Sequence, residues 1–151
     1  MTLPRKRMGA AMLFTDGAGR VLLVEPTYKP QWELPGGSVE ADESPYDAAV
    51  REVIEELGLH VTPGALLVVD WVPPRTDRTE GLMLVFDGGV LGPDRTADIR
   101  LPPEELRGWA WCTPAECADR LTPRLARRVR AALDAADHRA TRYLEDGRQR
   151  R

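Results

Sequence analysis

Three glutamates lie close together in a segment that otherwise has the pattern of an amphipathic helix. The segment reads REVIEELGL over residues 51–59 and contains Glu52, Glu55 and Glu56. On a helix, Glu52 would neighbour both Glu55 and Glu56, and each like-charged pair would cost about a few tenths of a kcal/mol. A bound cation would offset this repulsion. Carboxylate oxygens are hard ligands that suit Mg²⁺ or Mn²⁺ rather than zinc.

The helix that carries these glutamates has clear start and stop signals. Ser44 precedes Pro45, and Gly58 is a typical C-terminal stop, so the sequence predicts a helix from Pro45 to Leu57. At about 100° per residue, the acidic side chains fall on an arc roughly opposite the apolar arc. The apolar arc comprises Val50, Val53, Ile54 and Leu57. We therefore expect an apolar face in the core and an acidic face outside it.

An acidic run on a helix is most often a solvated face, but the residues around this one form a longer pattern. Gly37 is followed after five residues by Glu43, and REVIEELGL begins after seven more. This array resembles the signature box of the Nudix hydrolases, with every fixed position present. The resemblance extends loosely to WELPGG before the box and to GWAW near residue 110.

The resemblance implies a fold, a reaction and a role for each box residue. It implies an α+β fold, an α/β/α sandwich with a central mixed sheet, in which the box forms loop, helix and loop. Glu52, Glu55, Glu56 and the backbone carbonyl of Gly36 would bind Mg²⁺ or Mn²⁺. Either Glu55 or Glu56 would take a proton from the attacking water. Gly37 and a pair between Glu43 and Arg51 would support the site structurally.

Members of the family often supply a further acidic residue from outside the box. The candidates in this chain are Glu80, Asp87, Glu104 and Glu105. Each is equally typical of an ordinary residue at the end of a strand or the start of a helix. The spacing leaves the choice open.

Substrate contacts are predicted from side chains that suit phosphates or bases. Arg75 and Arg78 would reach a phosphate, and an aromatic ring at Trp32, Tyr28 or Trp71 would stack on a base. Our predicted substrate-binding residues are Arg75, Arg78, Trp32 and Glu80.

The resemblance implies cleavage of a pyrophosphate bond in a nucleoside diphosphate derivative, and two substrate classes stay open. These are a nucleoside triphosphate and an ADP-ribose-like compound, the latter indicated only by the prolines at 73 and 74. The rival hypothesis is a Nudix-fold module that binds or senses a nucleotide without cleaving it. The complete box argues against this rival, because binding alone does not require three clustered glutamates.

Length and composition limit the classes of protein to which the chain can belong. The 151 residues suit one domain, 42% are hydrophobic and 30% charged, and the net charge is -3. The sequence has no apolar run of membrane-spanning length and no signal-like start, so we expect a cytoplasmic protein without a membrane partner. Cys112 and Cys117 fit buried, reduced thiols. The arginines near the C-terminus lie on a helix with a regular apolar face, so nucleic acid binding is not expected. A homodimer is an open possibility, because many members of the family that this chain resembles are dimers.

The remaining elements must position the box. Strand-like runs at residues 8–15 and 20–26 flank a turn at 16–19, and further strands are predicted at 65–72, 81–89 and 108–113. Two helices follow, over 114–121 and 123–136. The order favours an α+β or α/β sandwich with a mixed sheet. We predict one domain over residues 5–137, followed by a polar tail at 138–151 that frays.

Overall fold

A mixed eight-stranded sheet forms the centre of the protein. The structure is a computed structural model that describes residues 2–150. The strands are β1 Arg7–Thr15, β2 Val21–Pro26, β3 Gly36–Ser38, β4 Leu66–Val72, β5 Gly81–Val90, β6 Leu106–Cys112, β7 Arg142–Glu145 and β8 Arg148–Gln149. The helices are α1 Pro45–Leu57, α2 Pro93–Thr96, α3 Pro114–Arg120 and α4 Pro123–His138. The strand order is β6-β2-β1-β5-β4-β7-β8, with β3 paired to β1.

The sheet separates two apolar layers because successive side chains of a strand point to opposite faces. Met12 and Phe14 of β1 join a cluster with α1, whereas Leu13 joins the cluster that contains α3 and α4. Helices therefore cover both faces of the sheet, and the predicted α/β/α sandwich with a mixed sheet is confirmed. The hairpin β1–β2 is antiparallel, whereas β1 and β5 run parallel.

Helix α1 begins and ends where the sequence predicts. The Ser44 hydroxyl accepts a hydrogen bond from the Asp47 backbone N–H at 3.0 Å, and Gly58 ends the helix in the left-handed region at φ 69°. The division into two arcs is wrong at two residues. Ile54 is 42% exposed and Glu56 only 9% exposed, because β1 and β3 pack against the side of α1 that contains Ala49, Val53 and Glu56.

The segment before α1, where the family resemblance implies a loop, contains the short strand β3. Gly36, Gly37 and Ser38 pair with Ala11, Ala10 and Gly9 of β1. A Cβ atom at Gly36 would lie 2.4 Å from the Ala10 carbonyl oxygen, so only glycine lets β3 approach β1 this closely. This pairing places the start of the box beside α1.

We expected the C-terminal tail to fray, but most of it forms regular structure. Residues 142–149 form the hairpin β7–β8, in which β7 pairs in parallel with β4. Leu144 is fully buried, and the Gly147 N–H donates to Oδ1 of Asp70 at 2.9 Å. One buried leucine and a buried carboxylate anchor a segment whose composition is otherwise polar.

Smaller features complete the fold. The short helix α2 was not predicted, and α4 extends to His138, two residues beyond the predicted end. Cys112 and Cys117 are buried and form no disulfide, and burial raises the pKa of the Cys117 thiol to about 11. Within residues 2–150, no helix is long and apolar enough to cross a bilayer.

Candidate active site

Gly37 leaves the space that the Glu52 carboxylate occupies. A Cβ atom at Gly37 would lie 2.6 Å from both Cδ and Oε1 of Glu52. Because β3 is fixed to β1, a side chain at this position would displace the carboxylate rather than the backbone. Burial raises the pKa of Glu52, although its hydrogen bond with Arg51 acts in the opposite direction.

Glu56 is the buried acid of the site. Its Oε1 accepts a hydrogen bond from the Gly36 backbone N–H at 2.8 Å, which links α1 to β3. Burial raises the pKa of Glu56 to about 8, and the charges of Glu52, Glu33 and Glu105 add to the effect. Among the described residues, no basic side chain pairs with Glu56.

Arg51 connects the acidic side chains around it. Its Nε and Nη2 donate to Glu43 at 2.8 and 2.9 Å, and its Nη1 donates to Oε1 of Glu52 at 3.0 Å. Nη2 also donates to the Ser38 carbonyl oxygen at 3.0 Å, so Arg51 ties the box loop to α1. The hydrogen bonds from Arg51 lower the pKa of Glu43 to about 2. Glu43 and Arg51 are therefore paired, and their supporting role in the site stays a prediction.

The three box glutamates differ in exposure. Glu55 is 55% exposed, its carboxylate lies 3.4 Å from Nη1 of Arg51, and Glu52 is 17% exposed. In the conformation described for residues 2–150, no three Asp, Glu, His or Cys side chains converge on one point that would hold a metal. The residues nevertheless fit Mg²⁺ or Mn²⁺ chemically. The donors are all hard oxygens, and Glu56 is surrounded by other carboxylates without a basic partner.

A groove of about 990 Å³ adjoins these residues. Its floor includes β1 from Met8 to Ala11, and Gly36, Gly37 and Glu56 line it on the side of the box. Residues of α4, including Arg128, line it as well. The volume is that of a site for a small organic molecule.

The comparisons with known proteins decide the family. Residues 5–133 match the family described as NUDIX domain, which is most of the chain. The chain belongs to the Nudix hydrolase family.

Named relatives agree with this assignment. A putative 8-oxo-dGTP diphosphatase of Bacillus subtilis (strain 168) is 31% identical over 121 residues, covering 80% of this chain and 76% of that protein. An RNA pyrophosphohydrolase of Dinoroseobacter shibae is 30% identical over 140 residues, covering 80% of this chain and 84% of that protein. The crystal structure of the MutT protein from Methanosarcina mazei Go1 aligns with a TM-score of 0.71 at 25% identity, covering 90% of this chain and 99% of that one. As a member of this family, the chain is an enzyme, a pyrophosphohydrolase that acts on acid anhydrides.

Only part of the predicted substrate-binding set of this Nudix hydrolase lies at the groove. Arg75 and Arg78 line it. Trp32 does not, and the guanidinium of Arg120 covers its ring at 4.5 Å. Glu80 is also outside the lining, where it accepts from Trp71 Nε1 at 2.8 Å and pairs with Lys6 at 2.7 Å. Tyr28, the alternative aromatic, is 74% exposed and lines the groove.

The candidate acidic residues outside the box also differ in whether they approach the site. Glu105 is close enough for its charge to raise the pKa of both Glu52 and Glu56. Asp87, by contrast, accepts from the Gly89 N–H at 2.8 Å and is absent from the groove lining. Glu33, which was not among the predicted site residues, lines the groove, contributes to the raised pKa of Glu56 and pairs with Lys29. Its position in WELPGG, just before the box glycines, was the available signal.

Proposed function

We propose that this Nudix hydrolase cleaves a pyrophosphate bond in a nucleotide, with Mg²⁺ or Mn²⁺ bound by Glu52, Glu55, Glu56 and the Gly36 carbonyl. The observation that carries the proposal is the buried Glu56 carboxylate at the groove, surrounded by acids and without a basic partner. The substrate is a nucleoside triphosphate or an ADP-ribose-like compound. The triphosphate class is supported by the 8-oxo-dGTP diphosphatase relative.

The metal would neutralise phosphate charge and lower the pKa of a water molecule bound to it. The chain itself supplies position and proton transfer. Glu55 or Glu56 accepts the proton of the attacking water at a carboxylate oxygen. Arg51 holds Glu52 and Glu43 in place, and Gly37 leaves room for the Glu52 carboxylate.

A substrate screen tests the proposal. Phosphate and nucleotide products are measured for nucleoside triphosphates, ADP-ribose, sugar nucleotides and dinucleotides, with Mg²⁺ and with a chelator. We expect hydrolysis of at least one compound that depends on Mg²⁺. If every compound survives with Mg²⁺, or cleavage is equal in the chelator, the proposal is wrong.

The variant Glu56→Gln tests the residue that carries the proposal. The amide oxygen still accepts from the Gly36 N–H, but the group has no charge for a metal and no capacity to take a proton. We expect kcat to fall by about 10² or more with folding retained. The control is Asp137→Asn, which removes one negative charge at an exposed position of α4 and should leave kcat unchanged. Near-normal turnover in a folded Glu56→Gln protein would remove Glu56 from the site.

A further inference from the structure

Three arginines gather at one end of the groove. Arg7, at the start of β1, and Arg75 and Arg78, in the β4–β5 connection, all line it. Among the described residues, none of the three forms an ion pair. Arginines without acidic partners in a concave surface are suited to bind an anion.

The backbone holds these arginines in place. Nε and Nη2 of Arg7 both donate to the Thr79 carbonyl oxygen, at 3.1 and 2.7 Å, so its guanidinium is fixed against the connection. Arg75 and Arg78 exchange two backbone hydrogen bonds, of 2.8 and 3.2 Å, across a tight turn. The turn keeps Arg75 and Arg78 together on the same loop, and both side chains are exposed.

Among the described residues, no ion pair offsets the positive charge of the cluster. Burial and the positive charges of Arg78 and Arg75 lower the pKa of Arg7. Glu80, next to the cluster in sequence, is engaged with Lys6 and Trp71. Asp77 lies between the two arginines of the turn and makes no ion pair with any residue of 2–150. A bound anion would relieve the mutual repulsion of the three guanidinium groups.

The cluster lies at a distance from the box. Gly36 pairs with Ala11, and Arg7 stands four residues earlier on the same strand, a span of about 13 Å in an extended strand. Met8, Gly9, Ala10 and Ala11 form the groove floor along this path. Neighbouring phosphates of one polyphosphate chain share a bridging oxygen and therefore lie much closer together than the two ends of this stretch of β1. Phosphates bound at these two ends would be separated by a nucleoside.

We infer that Arg7, Arg75 and Arg78 bind a ribose-linked phosphate of the substrate, on the far side of the nucleoside from the scissile pyrophosphate. The inference rests on the proposed function for the position of the scissile bond. Guanidinium groups match phosphate oxygens in geometry and charge. This phosphate is either the 3′-phosphate monoester of a free nucleoside triphosphate or the first phosphodiester of a 5′-triphosphorylated oligonucleotide, and both ligands belong to the triphosphate class of the proposed function.

Binding calorimetry tests the inference independently of hydrolysis. The ligands are the 5′-monophosphates of adenosine and guanosine, their 3′,5′-bisphosphates and the 5′-phosphorylated dinucleotides, all of which lack an anhydride to cleave. The proteins are wild type, Arg75→Gln/Arg78→Gln and the control Arg130→Gln, which alters an exposed arginine of α4 outside the groove. Arg7 is kept because its guanidinium bonds to the backbone.

We expect the wild type and the Arg130→Gln control to bind a bisphosphate or dinucleotide about tenfold more tightly than the monophosphate. The double variant should lose this preference and bind the bisphosphate or dinucleotide no more tightly than the monophosphate. A preference for the dinucleotide alone identifies the phosphodiester as the bound group. Equal affinities in the wild type, or a preference that survives in the double variant, would overturn the inference. If the substrate screen fails while the preference holds, the proposed function is wrong and the anion site stands.

Discussion

At the scale of single residues, the contact between Gly37 and Glu52 makes the position of a carboxylate depend on a missing side chain. The variant Gly37→Ala would place a Cβ atom 2.6 Å from the Glu52 carboxylate, which is the flexible end of its side chain. We expect kcat/KM to fall tenfold or more, because the carboxylate must move away from its position beside Arg51. The free energy of unfolding should change by less than about 1 kcal/mol. Steady-state kinetics and urea unfolding measure the two effects.

Gly92→Ala is the matched control for this variant. No atom lies within 4 Å of a Cβ at Gly92, and its φ of −83° suits any residue. This control should keep both activity and stability. If Gly37→Ala is as active as the control, the position of Glu52 does not matter for catalysis.

At the scale of elements, Asp70 joins three parts of the fold. Its fully buried carboxylate on β4 accepts from Nε of Arg128 on α4 at 2.7 Å and from the Gly147 N–H between β7 and β8 at 2.9 Å. The variant Asp70→Asn leaves the largely buried Arg128 without a counter-charge. We expect it to lower the free energy of unfolding by about 3 kcal/mol. Urea unfolding should show a lower midpoint with an unchanged m-value.

Asp134→Asn is the comparison for Asp70, because it also removes an ion pair of α4, in this case with Arg142 of β7. Asp134 contacts Arg142 at 3.0 Å but is 45% exposed, so solvent screens the pair. Its loss should cost less than about 1 kcal/mol. Equal effects of the two variants would mean that burial of Asp70 does not set the strength of this connection.

At the scale of the whole molecule, Glu56 couples the stability of the metal-free protein to pH. Its pKa is about 8 in the folded protein, against an ordinary value of 4.5. The folded state thus binds a proton that the unfolded chain has released, and stability falls as pH rises from 4.5 to 8. Burial also raises the pKa of Glu52, which acts in the same direction.

We expect the urea midpoint in chelator to decrease between pH 6 and pH 8, with a slope of at most about 1.4 kcal/mol per pH unit from Glu56. Mg²⁺ should reduce this decrease, because metal binds the deprotonated carboxylate of the folded protein. Glu56→Gln removes the titrating group and should flatten the profile without metal. A wild-type profile that is flat or rises over this range would contradict the raised pKa.

The sequence by itself determined the family, the helix that carries the acids and the order of the main strands. Those features depend on local signals: the Ser44 cap and Gly58 stop of α1, the period of each apolar strand, and the fixed spacing from Gly37 to Leu59. Because these interactions act between residues close in the chain, one sequence is enough to predict them. The family resemblance also implies the pair between Glu43 and Arg51, which lie about two helical turns apart.

The tertiary structure alone decided which side chains are buried and which meet across the fold. Glu56 is buried and Ile54 exposed because β3 packs against α1. Helical periodicity alone does not predict where a neighbouring strand will lie. The tail is ordered because Leu144 and Gly147 meet β4 residues that are more than 70 positions earlier. Trp32 and Glu80 are absent from the groove lining and Glu33 is present for the same physical reason. Long-range packing sets the direction of a side chain, and residue type does not.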